Sequence, residues 1–135
     1  MKPSEIDVLS KEYVIEHGSE FDGEEICWGG DYGDLVCSSE GVPFTGLLFE
    51  LYRNGNLAYY SYYEKGRQHG LSIRFHVSGN IESCGVFADG SLVGKSYEWY
   101  DSGKIKMIRD HYKNDYHYKY TEYNENEDIV RQGEA

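Results

Sequence analysis

Three cysteines, Cys27, Cys37 and Cys84, are all that the chain carries, an odd number without CxxC spacing. A disulfide framework is therefore not expected, and reduced thiols in a cytoplasmic protein are, with a Cys27 to Cys37 bridge as the alternative. The five histidines, His17, His69, His76, His111 and His117, lack the spacing of zinc ligands, so no metal is expected. There is no apolar run long enough to span a bilayer, and residues 1–20 lack the basic start and apolar stretch of a secretory signal. Also missing are a nucleophile elbow, a phosphate-binding glycine loop and a metal signature, so neither enzymatic activity, a cofactor nor a small-molecule substrate is expected. Asp110, His111 and Tyr112 are suited to acid–base work by type, but neighbours in a strand point to opposite faces.

Basic residues are scarce as well. Lys and Arg number 13 against 24 Asp and Glu, for a net charge of −11. The imbalance is local: residues 1–45 hold two basic and eleven acidic groups, residues 46–117 nine and eight, and residues 118–135 two and five. Nucleic acid and anionic membranes both require a basic face, which makes them poor partners. A protein with a basic surface suits this chain better.

What the chain has in quantity is glycine, 16 residues, set in a lattice. Gly46, Gly70 and Gly94 are equally spaced, and Gly55, Gly79 and Gly103 repeat the interval nine positions later. Leu57, Ile81, Ile105 and Ile129 share a further column, and Leu51, Phe75, Trp99 and Tyr123 another. Periodicity of this kind marks units that bury their apolar faces against neighbours. The period of 24 divides residues 46–131 into units 46–69, 70–93, 94–117 and a degenerate 118–131, followed by a tail at 132–135.

Within a unit, short runs rich in Tyr, Phe, Ile and Leu are punctuated by Asn-Gly or Ser-Gly, the signature of antiparallel strands joined by tight turns. The expected fold is all-β, a meander of stacked hairpins. Register then decides loop length. A three-residue corner, Arg53-Asn54-Gly55, pairs Leu51 with Leu57 and Phe49 with Tyr59, its glycine in the left-handed region. Three residues at Glu64-Lys65-Gly66 would pair Tyr63 with Arg67 and set Leu57 opposite Ile73. Phe49, Leu51, Leu57, Tyr59, Tyr63, Leu71, Ile73, Phe75, Ile81, Phe87, Tyr97, Trp99, Ile105 and Met107 would then share one apolar face. Glu50, Tyr52, Tyr60, Tyr62, Arg74, His76, Glu82, Glu98, Tyr100, Lys106 and Asp110 would occupy the other, with Tyr60 covering Gly70. Isolated hairpins are marginal in water, so residues 1–45, which contain Val8, Leu9, Val14, Phe21, Val36 and Phe44, are expected to cap the apolar face or extend the sheet.

The stretches GLLFELYRNGNLAYYSYYEKGRQHG, GLSIRFHVSGNIESCGVFADGSLVG and GKSYEWYDSGKIKMIRDHYKND resemble the MORN-repeat variant found in bacterial antitoxin and immunity proteins. Residues 40–46, EGVPFTG, resemble the entry to that family's first full repeat. The Y/F-x-x-G-x-x-x-G spacing recurs at Tyr63, Gly66 and Gly70 and at Phe87, Gly90 and Gly94, whereas Asn114 and Glu127 stand where turn glycines belong. The resemblance implies a hairpin array that binds and neutralises a cognate toxin, or else a scaffold or membrane-tethering module. Of the 14 tyrosines, 12 lie between residues 52 and 123, where they can shield the sheet or offer contact area. The candidate binding residues are Asp22, Glu24, Glu25, Asp31, Asp34 and Glu40 for steering, with Tyr60, Tyr62 and Tyr100 as anchors.

Overall fold

A computed structural model describes residues 2–21, 26–28, 35–38, 41–112 and 117–135, with 26–28 and 38 described by backbone alone. A short 3-10 turn at Pro3–Glu5 precedes helix α1 (Lys11–His17). The strands are β1 (Ser19–Glu20), β2 (Ile26–Trp28), β3 (Val36–Ser38), β4 (Gly46–Leu51), β5 (Leu57–Glu64), β6 (Arg67–Phe75), β7 (Ile81–Ala88), β8 (Ser91–Trp99), β9 (Ile105–His111), β10 (Tyr118–Tyr123) and β11 (Ile129–Glu134). Nine of them form one open sheet in the order β1-β4-β5-β6-β7-β8-β9-β10-β11, and β2 pairs with β3 separately. From β4 onward each strand pairs antiparallel with the next. β1 runs parallel to β4, so the sheet is mixed, where a purely antiparallel meander was expected. β11 continues through Glu134, into the residues read from sequence as a tail.

One corner geometry occurs four times. The backbone N–H groups of Tyr52, His76, Tyr100 and Asn124 donate to the carbonyls of Asn56, Asn80, Lys104 and Asp128. In return the carbonyls of Tyr52, His76, Tyr100 and Asn124 accept from the N–H groups of Gly55, Gly79, Gly103 and Glu127. These are three-residue loops ending in a left-handed residue, as read for Asn54-Gly55. The corners are clipped together by side chains. Tyr52 Oη donates to the Phe75 carbonyl at 2.6 Å and Tyr100 Oη to the Tyr123 carbonyl at 2.8 Å. Between them His76 Nε2 lies 3.0 Å from the Trp99 carbonyl oxygen. At the last corner Glu127 takes φ 67° without the freedom of glycine. Glu127→Gly should therefore stabilise the chain by about 1 kcal/mol, read as a higher urea midpoint at unchanged slope.

The second class of corner differs from the sequence reading. Glu64 pairs directly with Arg67, leaving a two-residue turn at Lys65 (φ 51°) and Gly66 (φ 85°), and Asp89 (φ 49°) and Gly90 (φ 87°) repeat it. Two positive φ angles in succession give the turn whose twist matches the flanking strands. Beyond each three-residue corner the register also shifts. Leu51 faces Leu57, but Glu50 faces Tyr59 and Phe49 faces Tyr60, so Ala58 is an extra, bulged residue. Glu82, Lys106 and Val130 are inserted in the same way. A one-residue insertion exchanges the faces of everything after it. Tyr60 therefore joins the core and Tyr59 faces the other side, the reverse of the expected assignment. Tyr63, Phe87 and Met107 also pass to the other side, where Tyr63 packs with Leu48, Phe87 lies two residues from Gly85, and Met107 pairs with Glu98. Leu57 and Ile73 nonetheless share one core cluster.

That cluster comprises Val14, Leu47, Phe49, Leu57, Tyr60, Ile73 and Phe75, with Ile6, Val8 and Leu9 packed against it. At seven residues α1 is too short to be stable by propensity. It is held by Val14, which is fully buried, and capped by Ser10, whose Oγ accepts from the Tyr13 N–H at 3.1 Å. The α1 residue Val14 packs on one face of the sheet, and β1 pairs along its β4 edge. A smaller cluster on the opposite face joins Val36, Leu48 and Tyr63 to Phe21 and Phe44. It is pinned through backbone bonds from Val36 N to Gly66 O at 2.9 Å and from Gly66 N to Phe44 O at 2.7 Å.

Candidate recognition surface

Of the nine residues singled out from sequence, Asp22, Glu24, Glu25, Asp31, Asp34 and Glu40 lie outside the described residues. The three tyrosines diverge. Tyr60 is completely buried, and its Oη accepts from the Leu9 N–H at 3.0 Å. Burial pushes its phenol above the ordinary range, against which the Leu9 N–H acts. A ring with no exposed surface cannot anchor a partner, so Tyr60 is a core residue and the sequence assignment is corrected. Tyr100 serves as a clip between corners, with Lys106 Nζ 5.6 Å from its ring centroid. Tyr62 remains 37% exposed and covers Gly70, the role expected of Tyr60, because Tyr60 pairs with Ile73 and the β5–β6 register shifts between Ser61 and Tyr63.

The face turned away from α1 holds a different feature. The register places Ser61 opposite Ser72 and Ser72 opposite Gly85, with Ser96 in the next strand. This row of small side chains forms the floor of a trough of about 480 Å³. A Cβ on Gly85 would stand 2.6 Å from Leu92 Cδ2 and 3.3 Å from Ser96 Cβ, so the floor is closely packed there. Gln68 Nε2 donates to Ser61 Oγ at 3.2 Å, and the Ser61 and Ser72 hydroxyls bond each other.

Side chains two residues away on each side of the floor form the walls, roughly 13 Å apart by strand geometry. One wall is charged, with Glu50, Tyr59, Arg74, Ser83 and Glu98 in a cross-strand row. The other is largely apolar, with Tyr63, Phe87 and Leu92. Leu48, Val36 and Phe21 close one end. At the other end Arg109 pairs with Glu98 at 3.0 Å and lies 5.6 Å from the Tyr118 ring centroid. Beyond it His111 Nε2 and Ser96 Oγ bond at 2.8 Å. Burial, and after it the Arg109 charge, lowers the basicity of His111, while Asp110 acts against the shift.

The charges on the wall are unevenly paired. Glu98 has Arg109, but no described cation lies within 4.0 Å of the Glu50 carboxylate. The Arg74 guanidinium sits over the Tyr59 ring, 5.4 Å from its centroid, without a carboxylate partner among the described residues. Burial, followed by the Glu50 carboxylate and Tyr63, raises the Tyr59 phenol well above its ordinary value, with Arg74 opposing. The Tyr63 phenol is raised by burial and then by Glu50. Both phenols stay neutral donors at physiological pH. Cys84, beneath the sheet, is pushed up to about 11 by burial, which leaves it a thiol of low reactivity.

Sequence reasoning missed this trough although its residues are in plain view. The pattern Ser61, Ser72, Gly85 forms a row only once the β5–β6 register shift between Ser61 and Tyr63 and the insertion of Glu82 are in place.

Fold and site together define a sheet protein whose N-terminal residues pack on one face over β4–β6 and whose other face is open in a lined trough. Over 61 residues the chain is 36% identical to the immunity protein YwqK of Bacillus subtilis (strain 168). The match covers 42% of this chain and 38% of that protein, so well under half of the relative is spanned. No family model matches the chain, and no solved structure does.

Proposed function

We propose that this chain is an immunity protein that binds a cognate toxin domain and holds it in an inactive complex. The observation that carries the reading is the likeness to the immunity protein YwqK. The open trough supports it, being of a size and polarity that a protruding element of another protein can enter. The four like corners at residues 52–56, 76–80, 100–104 and 124–128 support reading residues 46–131 as stacked hairpins of the MORN kind. The net charge of −11 favours a toxin with a basic surface, by accelerating encounter. In this reading the protein acts in the cytoplasm by occupying its target, and not as an enzyme.

The test is co-expression with a toxin domain encoded beside this chain. Growth should be restored when both are made, and the two should elute together from a sizing column. Killing that persists while both proteins are soluble would contradict the proposal.

A further inference from the structure

We infer that the closed end of the trough is a binding pocket for an arginine side chain of the partner protein, with Glu50 as the carboxylate that receives the guanidinium and Tyr59 as the ring it lies against. The inference rests on the proposed function for the identity of the partner, and on the pocket itself for its chemistry.

Glu50 is half-buried on β4, directly opposite Tyr59, in a trough whose end is closed by Leu48, Phe21 and Val36. A carboxylate withdrawn from water in this way is unfavourable unless a cation or hydrogen-bond donors face it. The nearest cation on the wall is Arg74, which lies beyond Tyr59 in the same row, two strands away and so roughly 10 Å distant at the backbone. It forms no ion pair with Glu50 within 4.0 Å. At the other end of the wall the same kind of carboxylate, Glu98, is already matched by an arginine of this chain at 3.0 Å. Among the described residues, the Glu50 end is therefore the acidic half of a pattern whose basic half is absent.

The geometry favours arginine over lysine. The Tyr59 ring already accepts one guanidinium on its face, that of Arg74. A planar guanidinium can also meet a carboxylate through two parallel N–H groups while its plane rests on an aromatic ring, whereas a strongly hydrated ammonium can do neither as well. Glu50 stands directly opposite Tyr59, and after burial its carboxylate is the next cause raising both the Tyr59 and Tyr63 phenols.

The experiment uses the intact chain and N-acetyl-arginine methylamide as the probe, followed by amide chemical shifts. The expected result is saturable shifts in the millimolar range, clustered at Glu50, Tyr59 and Ser61. Glu50→Gln should weaken binding at least about fivefold while the rest of the spectrum is unchanged, and Arg74→Gln should leave it intact or strengthen it by removing a like charge. Equal binding by N-acetyl-lysine methylamide would overturn the guanidinium assignment. Unchanged affinity in Glu50→Gln, or sulfate shifting the same amides, would overturn the pocket. Loss of toxin rescue with arginine binding intact would sink the immunity reading alone, and retained rescue with no arginine binding would sink the pocket alone.

Discussion

Tyr60→Ala should destabilise the chain by about 4 kcal/mol, whereas Tyr62→Ala, two residues along the same strand, should cost about 1 kcal/mol or less. Tyr60 has no exposed surface, packs with Ile73 and Phe75, and accepts the Leu9 N–H. Truncation would open a cavity in the cluster that holds α1 to the sheet and leave a backbone donor without its partner. Tyr62 is 37% exposed and meets Gly70 at its rim, with little else to lose. Urea unfolding of both variants decides the matter. Equal losses would mean that Tyr60 does not occupy the core, and would undo the register from which the trough is built.

Gly66→Ala should cost about 3 kcal/mol and Gly103→Ala about 1 kcal/mol, although both glycines adopt nearly the same backbone angle, φ 85° and φ 90°. The shared part is the strain of an L residue in that region. The excess at Gly66 comes from crowding, because an added Cβ would stand 2.8 Å from Leu35 Cβ and 2.9 Å from the Val36 carbonyl oxygen. At Gly103 nothing lies within 4 Å. Gly66 also exchanges backbone bonds with Phe44 and Val36, so displacing it would loosen the segment that closes the trough beside Glu50. Thermal melting of the two variants tests this, and equal shifts would show that residues 35–36 do not rest on the corner.

These contrasts indicate how much could be read beforehand. The Asn54-Gly55 corner was legible because a three-residue loop leaves a glycine at a fixed place, and the same glycine recurs at Gly79 and Gly103. The bulges were not, since Ala58, Glu82, Lys106 and Val130 share no chemistry and the geometry imposes none that a sequence displays. Lys65-Gly66 misled for a related reason, because a lysine at φ 51° carries no mark of its conformation. The two misreadings partly compensate, which is why Leu57 and Ile73 share a face as expected even though Tyr59 and Tyr60 change places. The run Tyr59, Tyr60, Ser61, Tyr62, Tyr63 hid the exchange, as aromatic residues alternate with aromatic residues there and period two has nothing to reveal. Charge was legible as a total and not as a site. Net acidity suggested a basic partner, but the half-buried carboxylate lies in Glu50, within the nearly neutral segment 46–117, where counting gave no reason to look.

Contacts between ring protons and methyl groups in a nuclear Overhauser spectrum test the register most directly. The Tyr60 ring should lie close to the Ile73 methyls and the Leu9 amide, and the Tyr59 ring close to Arg74 and Glu50. Contacts from the Tyr59 ring to Ile73, with Tyr60 turned toward Arg74, would contradict the assignment of faces and remove the trough.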